Sequence, residues 1–202
     1  MFKNTRYYGL DIDLEALRLG LKNSPPDTYG IWADMSTLET LPSNSVDLIV
    51  STNTLYKLTS LDQDKAVDHL CRITKPNGDF FLDITLSDRV PVVADLLKRR
   101  FKKVTVVYCK NPINQLYEKA FENKNKDLGY HPIASLRPFR LFAWLLGQLE
   151  YLTCRFPRLN KQVLFLCFGK ISNEPTNVFD VSHLPIIEDK LYNGFPEIKK
   201  IL

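Results

Sequence analysis

The chain has 202 residues, 45% of them hydrophobic and 25% charged, with a formal net charge of +4 at pH 7. A chain of that length buries one good core, and its composition excludes overall disorder. The small positive charge permits an anionic partner without requiring one. A nucleic-acid surface would carry more basic clusters with interleaved aromatics, so that class is disfavoured. Cys71, Cys109, Cys154 and Cys167 lie far apart, with no CxxC pair and no Cys/His cluster at metal-ligand spacing. Cys71 and Cys167 sit in apolar runs and read as small buried hydrophobes. The opening residues Met1 to Arg6 contain no apolar run of the signal-peptide kind. The expectation is a reducing, cytoplasmic compartment and no metal.

In chain order, Tyr7 to Leu10 predicts a short strand ending at Asp11. Asp13 fits an N-cap for a helix whose apolar stripe is Leu14, Leu17 and Leu21 and which stops before Pro25-Pro26. A second strand runs from Tyr29 to Ala33 and ends in Asp34. A polar crossing from Leu38 to Ser45, punctuated by Pro42, leads to Val46-Asp47-Leu48-Ile49-Val50-Ser51. This run has too few polar positions to alternate, and it reads as a strand buried on both faces. Asp62 to Thr74 predicts an amphipathic helix with Ala66, Val67, Leu70 and Ile73 on one face. Lys75-Pro76-Asn77-Gly78 predicts a turn, Phe80 to Ile84 a strand, Val90 to Arg100 a helix and Val104 to Tyr108 a further strand. The alternation is that of an α/β fold with a mostly parallel sheet and helices on both faces. In such sheets ligands bind beyond the carboxyl ends of the strands, so the polar residues that end strands are the candidates for function.

The alternation breaks at residue 111. The division is a core over 1–110, an insertion over 111–161, a last core strand over 162–170 and a tail over 171–202 with several prolines and at most short helices. Within the insertion, Phe142, Leu145, Leu149, Leu152 and Phe156 follow a helical stripe flanked by Arg137, Arg140, Arg155 and Arg158. The apolar stretch is too short to span a bilayer. A core helix or a lid over the active site is the favoured reading, with a helix in the membrane interface behind it. The basic run Lys98 to Lys103 reads as a solvated helix C-terminus. His69, His131 and His183 have no partner at nucleophile or metal spacing.

Four segments in this order resemble class I S-adenosylmethionine-dependent methyltransferases of the small-molecule, type 11-like kind. They are Tyr8-Gly9-Leu10-Asp11-Ile12-Asp13, Ala33-Asp34-Met35 with Leu41-Pro42, Val46 to Asn53, and Ile73-Thr74-Lys75-Pro76-Asn77-Gly78. Together they are similar to the family's second strand with its terminal acid, the acid after its third strand, its fourth strand, and the turn before its fifth. The resemblance implies S-adenosyl-L-methionine as cofactor. Asp11 would accept from the ribose diol with Ile12 near the adenine, Asp34 from the adenine amino group with Met35 beside the ring, and Asn53 would lie near the methionine part. Tyr56 and Lys57 stand where many relatives carry a histidine, and a surface role is favoured for both. A nicotinamide-dependent enzyme would also place an acid after strand two, but it does not predict the rest of the series.

The family's first strand and glycine-rich loop, DxGxGxG, are absent from the sequence. In the family that strand lies between strands two and four. Without it those two strands pair directly or leave unpaired edges. An N-terminally truncated methyltransferase, a degenerate paralogue acting as a binding or scaffolding partner, and a partner chain that completes the sheet all fit. Truncation is the expectation, because the remaining motifs are intact. A small-molecule, sugar or lipid-like acceptor is expected.

Overall fold

The structure is a computed structural model, and it describes residues 5–52, 54–112, 115 and 136–195. β1 (Tyr7–Asp11), α1 (Leu14–Lys22), β2 (Thr28–Trp32) and β3 (Val46–Ser51) come first, then a one-turn 3-10 helix, Leu55–Lys57. α2 (Ser60–Ile73), β4 (Thr74–Thr85), α3 (Arg89–Arg100) and β5 (Phe101–Cys109) follow. α4 (Arg137–Thr153), β6 (Gln162–Lys170), β7 (Ile186–Glu188) and β8 (Leu191–Asn193) complete the order. Helix starts follow their caps: the Asp13 carboxylate accepts from the amides of Glu15 and Ala16 at 3.0 and 3.1 Å, and Thr59 caps α2. α2 buries Ala66, Val67, Leu70, Cys71 and Ile73, the face its periodicity predicts.

The strands form two four-stranded sheets, β1-β2-β8-β7 and β3-β4-β6-β5. β1–β2, β2–β8 and β3–β4 pair parallel, whereas β4–β6, β5–β6 and β7–β8 pair antiparallel. The result is an α/β fold of mixed sheets flanked by helices. One core joins them, with Ile31 and Ala33 from the first sheet, Phe80, Leu82, Val163 and Phe165 from the second, and Leu38 and Leu41 from the crossing. The predicted turn at Lys75-Pro76-Asn77-Gly78 lies inside β4. The register jumps there from Val46 opposite Thr74 to Leu48 opposite Asp79, and Asn77 takes a φ of 62°. A Cβ on Gly78 would sit 2.9 Å from the Asp47 carbonyl oxygen, so the turn needs glycine.

Three expectations are corrected. β3 is not buried on both faces: Leu48 and Val50 are 49% and 60% exposed. The reason is topological, since β3 has one neighbour, β4, and its other edge pairs with nothing among the described residues. The outer edge of β1 is unpaired in the same sense, and β1 and β3 do not pair with each other. Secondly, the tail contributes strands, because β8 pairs parallel with β2 over Gly30, Ile31 and Trp32 and β7 pairs with β8. Thirdly, α4 is not a core helix, for none of its residues is buried.

The tail is pinned by a polar knot. The Lys170 ammonium, on a residue only 6% exposed, donates to Asn44 Oδ1 at 2.7 Å and to the carbonyls of Thr74 and Arg72 at 2.7 and 3.1 Å. Asn44 donates to Glu174 at 2.8 Å, and its carbonyl accepts from the Asn177 amide at 2.9 Å. Asn44 itself has a φ of 53°. The β2–β3 crossing, the α2–β4 junction and the end of β6 therefore share one buried cation.

Candidate functional site

The parallel ladder of β1 and β2 sets Asp11 opposite Trp32, so both strands end together and Asp34 follows two residues beyond. The turn after β1 is fastened to β2 by two bonds. The Ala33 amide donates to the Asp11 carbonyl at 3.1 Å, and the Trp32 indole donates to the Ile12 carbonyl at 2.9 Å. The Asp11 carboxylate is exposed and accepts through Oδ1 from the Asp13 amide at 2.9 Å. Ile12 is 62% exposed, an apolar side chain left in solvent beside an acid. Asp34 is half-buried, and its Oδ1 accepts from both the amide and the hydroxyl of Ser36 at 2.8 Å. Met35 is half-buried against the core. Among the described residues no ion pair engages Asp11 or Asp34.

The structure thus brings Asp11, Ile12, Asp34 and Met35 to one end of the first sheet. Asn53 lies outside the described residues, as does His131. β3 ends in the second sheet, where the hydroxyls of Ser51 and Thr54 are 2.7 Å apart. His69 lies 3.3 Å from Glu39, and His183 Nε2 lies 3.0 Å from the Thr40 carbonyl. Asp47 is a surface residue paired with Lys75 at 2.9 Å. Burial pushes the Cys71 and Cys167 thiols up to about 12, and that of Cys109 up to about 11, which keeps them in the unreactive thiol form.

A depression of about 190 Å³ opens between α1 and the β1–β2 ladder, lined by Gly9, Asp11, Leu17, Leu21, Tyr29 and Gly30 among others. No signal in the sequence marks it. A ligand the size of a nucleoside cofactor occupies roughly 300 Å³ or more. The described residues fit such a cofactor in part. Two carboxylates free of cations at the ends of neighbouring parallel strands suit a ribose diol and an amino group. No glycine-rich turn among them offers a backbone cradle for the other end of the molecule.

Residues 1–82 match the sequence model of a family described as a methyltransferase domain. The match spans about two fifths of the chain and includes Asp11, Ile12, Asp34 and Met35. No curated protein matches the chain. Among solved structures, the chain is similar to the N-methyltransferase NodS from Bradyrhizobium japonicum in complex with S-adenosyl-L-homocysteine, at 12% identity and a TM-score of 0.48, covering 83% of this chain and 67% of that one. It is also similar to a SAM-dependent methyltransferase from Archaeoglobus fulgidus, at 10% identity and a TM-score of 0.45, over 84% and 88% of the two chains. A third similar structure is phosphoethanolamine N-methyltransferase 2 from Haemonchus contortus, at 14% identity and a TM-score of 0.47. There the match covers 84% of this chain and 49% of that one. At these identities and scores the structures add nothing to the match over residues 1–82.

Proposed function

We propose that the chain carries an S-adenosylmethionine-dependent methyltransferase domain acting on a small-molecule, sugar or lipid-like acceptor. The observation that carries this reading is the β1–β2 ladder, which sets Asp11 and Asp34 at one sheet end within the segment that matches a methyltransferase domain. In it, Asp11 accepts from the ribose hydroxyls, Ile12 covers the adenine, and Asp34 accepts from the adenine amino group through Oδ2. The cofactor supplies an electrophilic methyl group, so the protein's task is chiefly positioning. The glycine-bearing strand would come from outside the described residues, from a longer form of the protein or from a partner chain.

The test is isothermal titration of the folded chain with S-adenosylhomocysteine, with Asp11→Ala as control. Micromolar binding that weakens about tenfold or more in the variant is the expected result, because a bond to a charged group contributes roughly 1.5–3 kcal/mol. A second reading, a non-catalytic remnant that serves as a binding or scaffolding partner, is favoured by the cavity of about 190 Å³ and by the open edges of β1 and β3. A folded chain that takes up no S-adenosylhomocysteine would select it.

A further inference from the structure

Helix α4 touches the body of the protein with one narrow face. Phe139, Ala143, Leu146 and Glu150 are half-buried, spaced four, three and four residues apart, and this strip lies toward β5. Glu150 is the one acidic residue between 137 and 158, and it points inward, where Oε1 accepts from the Lys110 amide at 3.0 Å. The outward face is divided in two. Leu141, Leu145, Leu149 and Leu152, spaced four, four and three apart, make an apolar strip whose members are 44–66% exposed, and Phe156, 57% exposed, follows just past the helix. Arg137, Arg140, Trp144 and Tyr151 fall on the adjoining strip, and Arg155 and Arg158 follow in the segment after the helix ends at Thr153.

A helix docked on the protein core would bury its apolar strip, and this one does not. A water-facing helix would carry acids among its bases, and the outward face of α4 with the segment that follows it has four arginines, two of them on the helix, and no acid. Trp144 and Tyr151, aromatic residues with polar tips, share the arginine strip beside the leucines, and side chains of this kind meet both headgroup and acyl chain. No helix among the described residues is long and apolar enough to cross a membrane, so the element would lie in the bilayer surface. At 17 residues α4 presents a strip about 25 Å long. We propose that α4 is a membrane-interface helix, which seats its leucine strip among the acyl chains of an anionic phospholipid surface while its arginines engage the lipid phosphates and carboxylates. Charge complementarity selects this occupant over a second copy of the chain, because two such faces would set arginine against arginine.

The proposal stands apart from methyl transfer, and vesicle flotation of the full chain tests it. With vesicles of phosphatidylcholine and phosphatidylserine at about three to one, the chain is expected to float, and with phosphatidylcholine alone at least about tenfold less. Leu145→Asp/Leu149→Asp abolishes flotation. Arg137→Gln/Arg140→Gln/Arg155→Gln weakens it about tenfold or more and removes most of its salt dependence. All five positions are exposed, and circular dichroism confirms folding. If the aspartate variant does not fold, the glutamine variant and the lipid dependence decide alone. Absence of flotation by the folded chain overturns the proposal, as does equal flotation on neutral and anionic vesicles. So does a dimer that Leu145→Asp/Leu149→Asp dissolves in a chain that never floats, for that would make a second copy the occupant. Flotation without S-adenosylhomocysteine binding would keep this proposal and sink the catalytic one.

Discussion

The two sheets have four strands each and differ in how much of their surface is covered. In the second, β4 lies between β3 and β6 and is met along most of its length, so Phe80 and Leu82 are wholly buried. In the first, β8 and β7 are three residues each, and α1 buries Leu17 alone. The candidate carboxylates stand on this thinner sheet. The difference separates the part of the chain that holds the fold from the part that displays chemistry, and it can be broken or sharpened by substitution.

The largest effect is expected from Phe165→Ala in β6, a wholly buried ring between β4 and β5. About 3–5 kcal/mol of unfolding free energy should be lost in urea titration. Lys170→Met should cost about 1–3 kcal/mol, because three buried acceptors lose their donor. That substitution also carries a pH signature. Burial lowers the Lys170 pKa below its ordinary 10.5, so between the folded and unfolded values the unfolded chain holds more protons. Wild-type stability should rise with pH through that window, and the contribution should be missing in Lys170→Met. Equal pH slopes would show that the ammonium is not buried as described.

On the thinner sheet the effects are smaller. Asp13→Ala removes the cap of α1 and should cost about 1 kcal/mol while leaving S-adenosylhomocysteine affinity unchanged, which separates a cap from a ligand two residues away. Asp11→Ala should shift stability by less than about 0.5 kcal/mol, since the residue is exposed and holds one local bond. A larger loss would make Asp11 a structural residue and weaken the cofactor reading.

Much of this arrangement was legible in the sequence. Asp13 read as a cap, the stripe of α2, the turn at Asn77-Gly78 and the burial of Cys71 and Cys167 all follow from local rules, and the structure keeps them. Asp11 and Asp34 were legible as strand ends. β3 was misread because an apolar run reports what a strand is made to touch, not whether a neighbour is present. β7 and β8 were missed because three residues carry no period. The Lys170 knot was missed because its members lie at 44, 72, 74 and 170, and only the fold brings them together. Gly30 lines the depression beside α1. A Cβ there would come within 2.8 Å of Leu191, a contact between segments far apart in sequence.

The buried thiols have a practical consequence. Burial holds the Cys71 and Cys167 thiols well above the ordinary range, so both stay protonated at neutral pH, and both are fully enclosed. A thiol reagent therefore meets them only when α2 lifts from β4 and β6, which is to say when the core opens. Their labelling rate is a clock set by the protein's own unfolding, and it reads the cohesion of the second sheet in the native chain without any introduced probe.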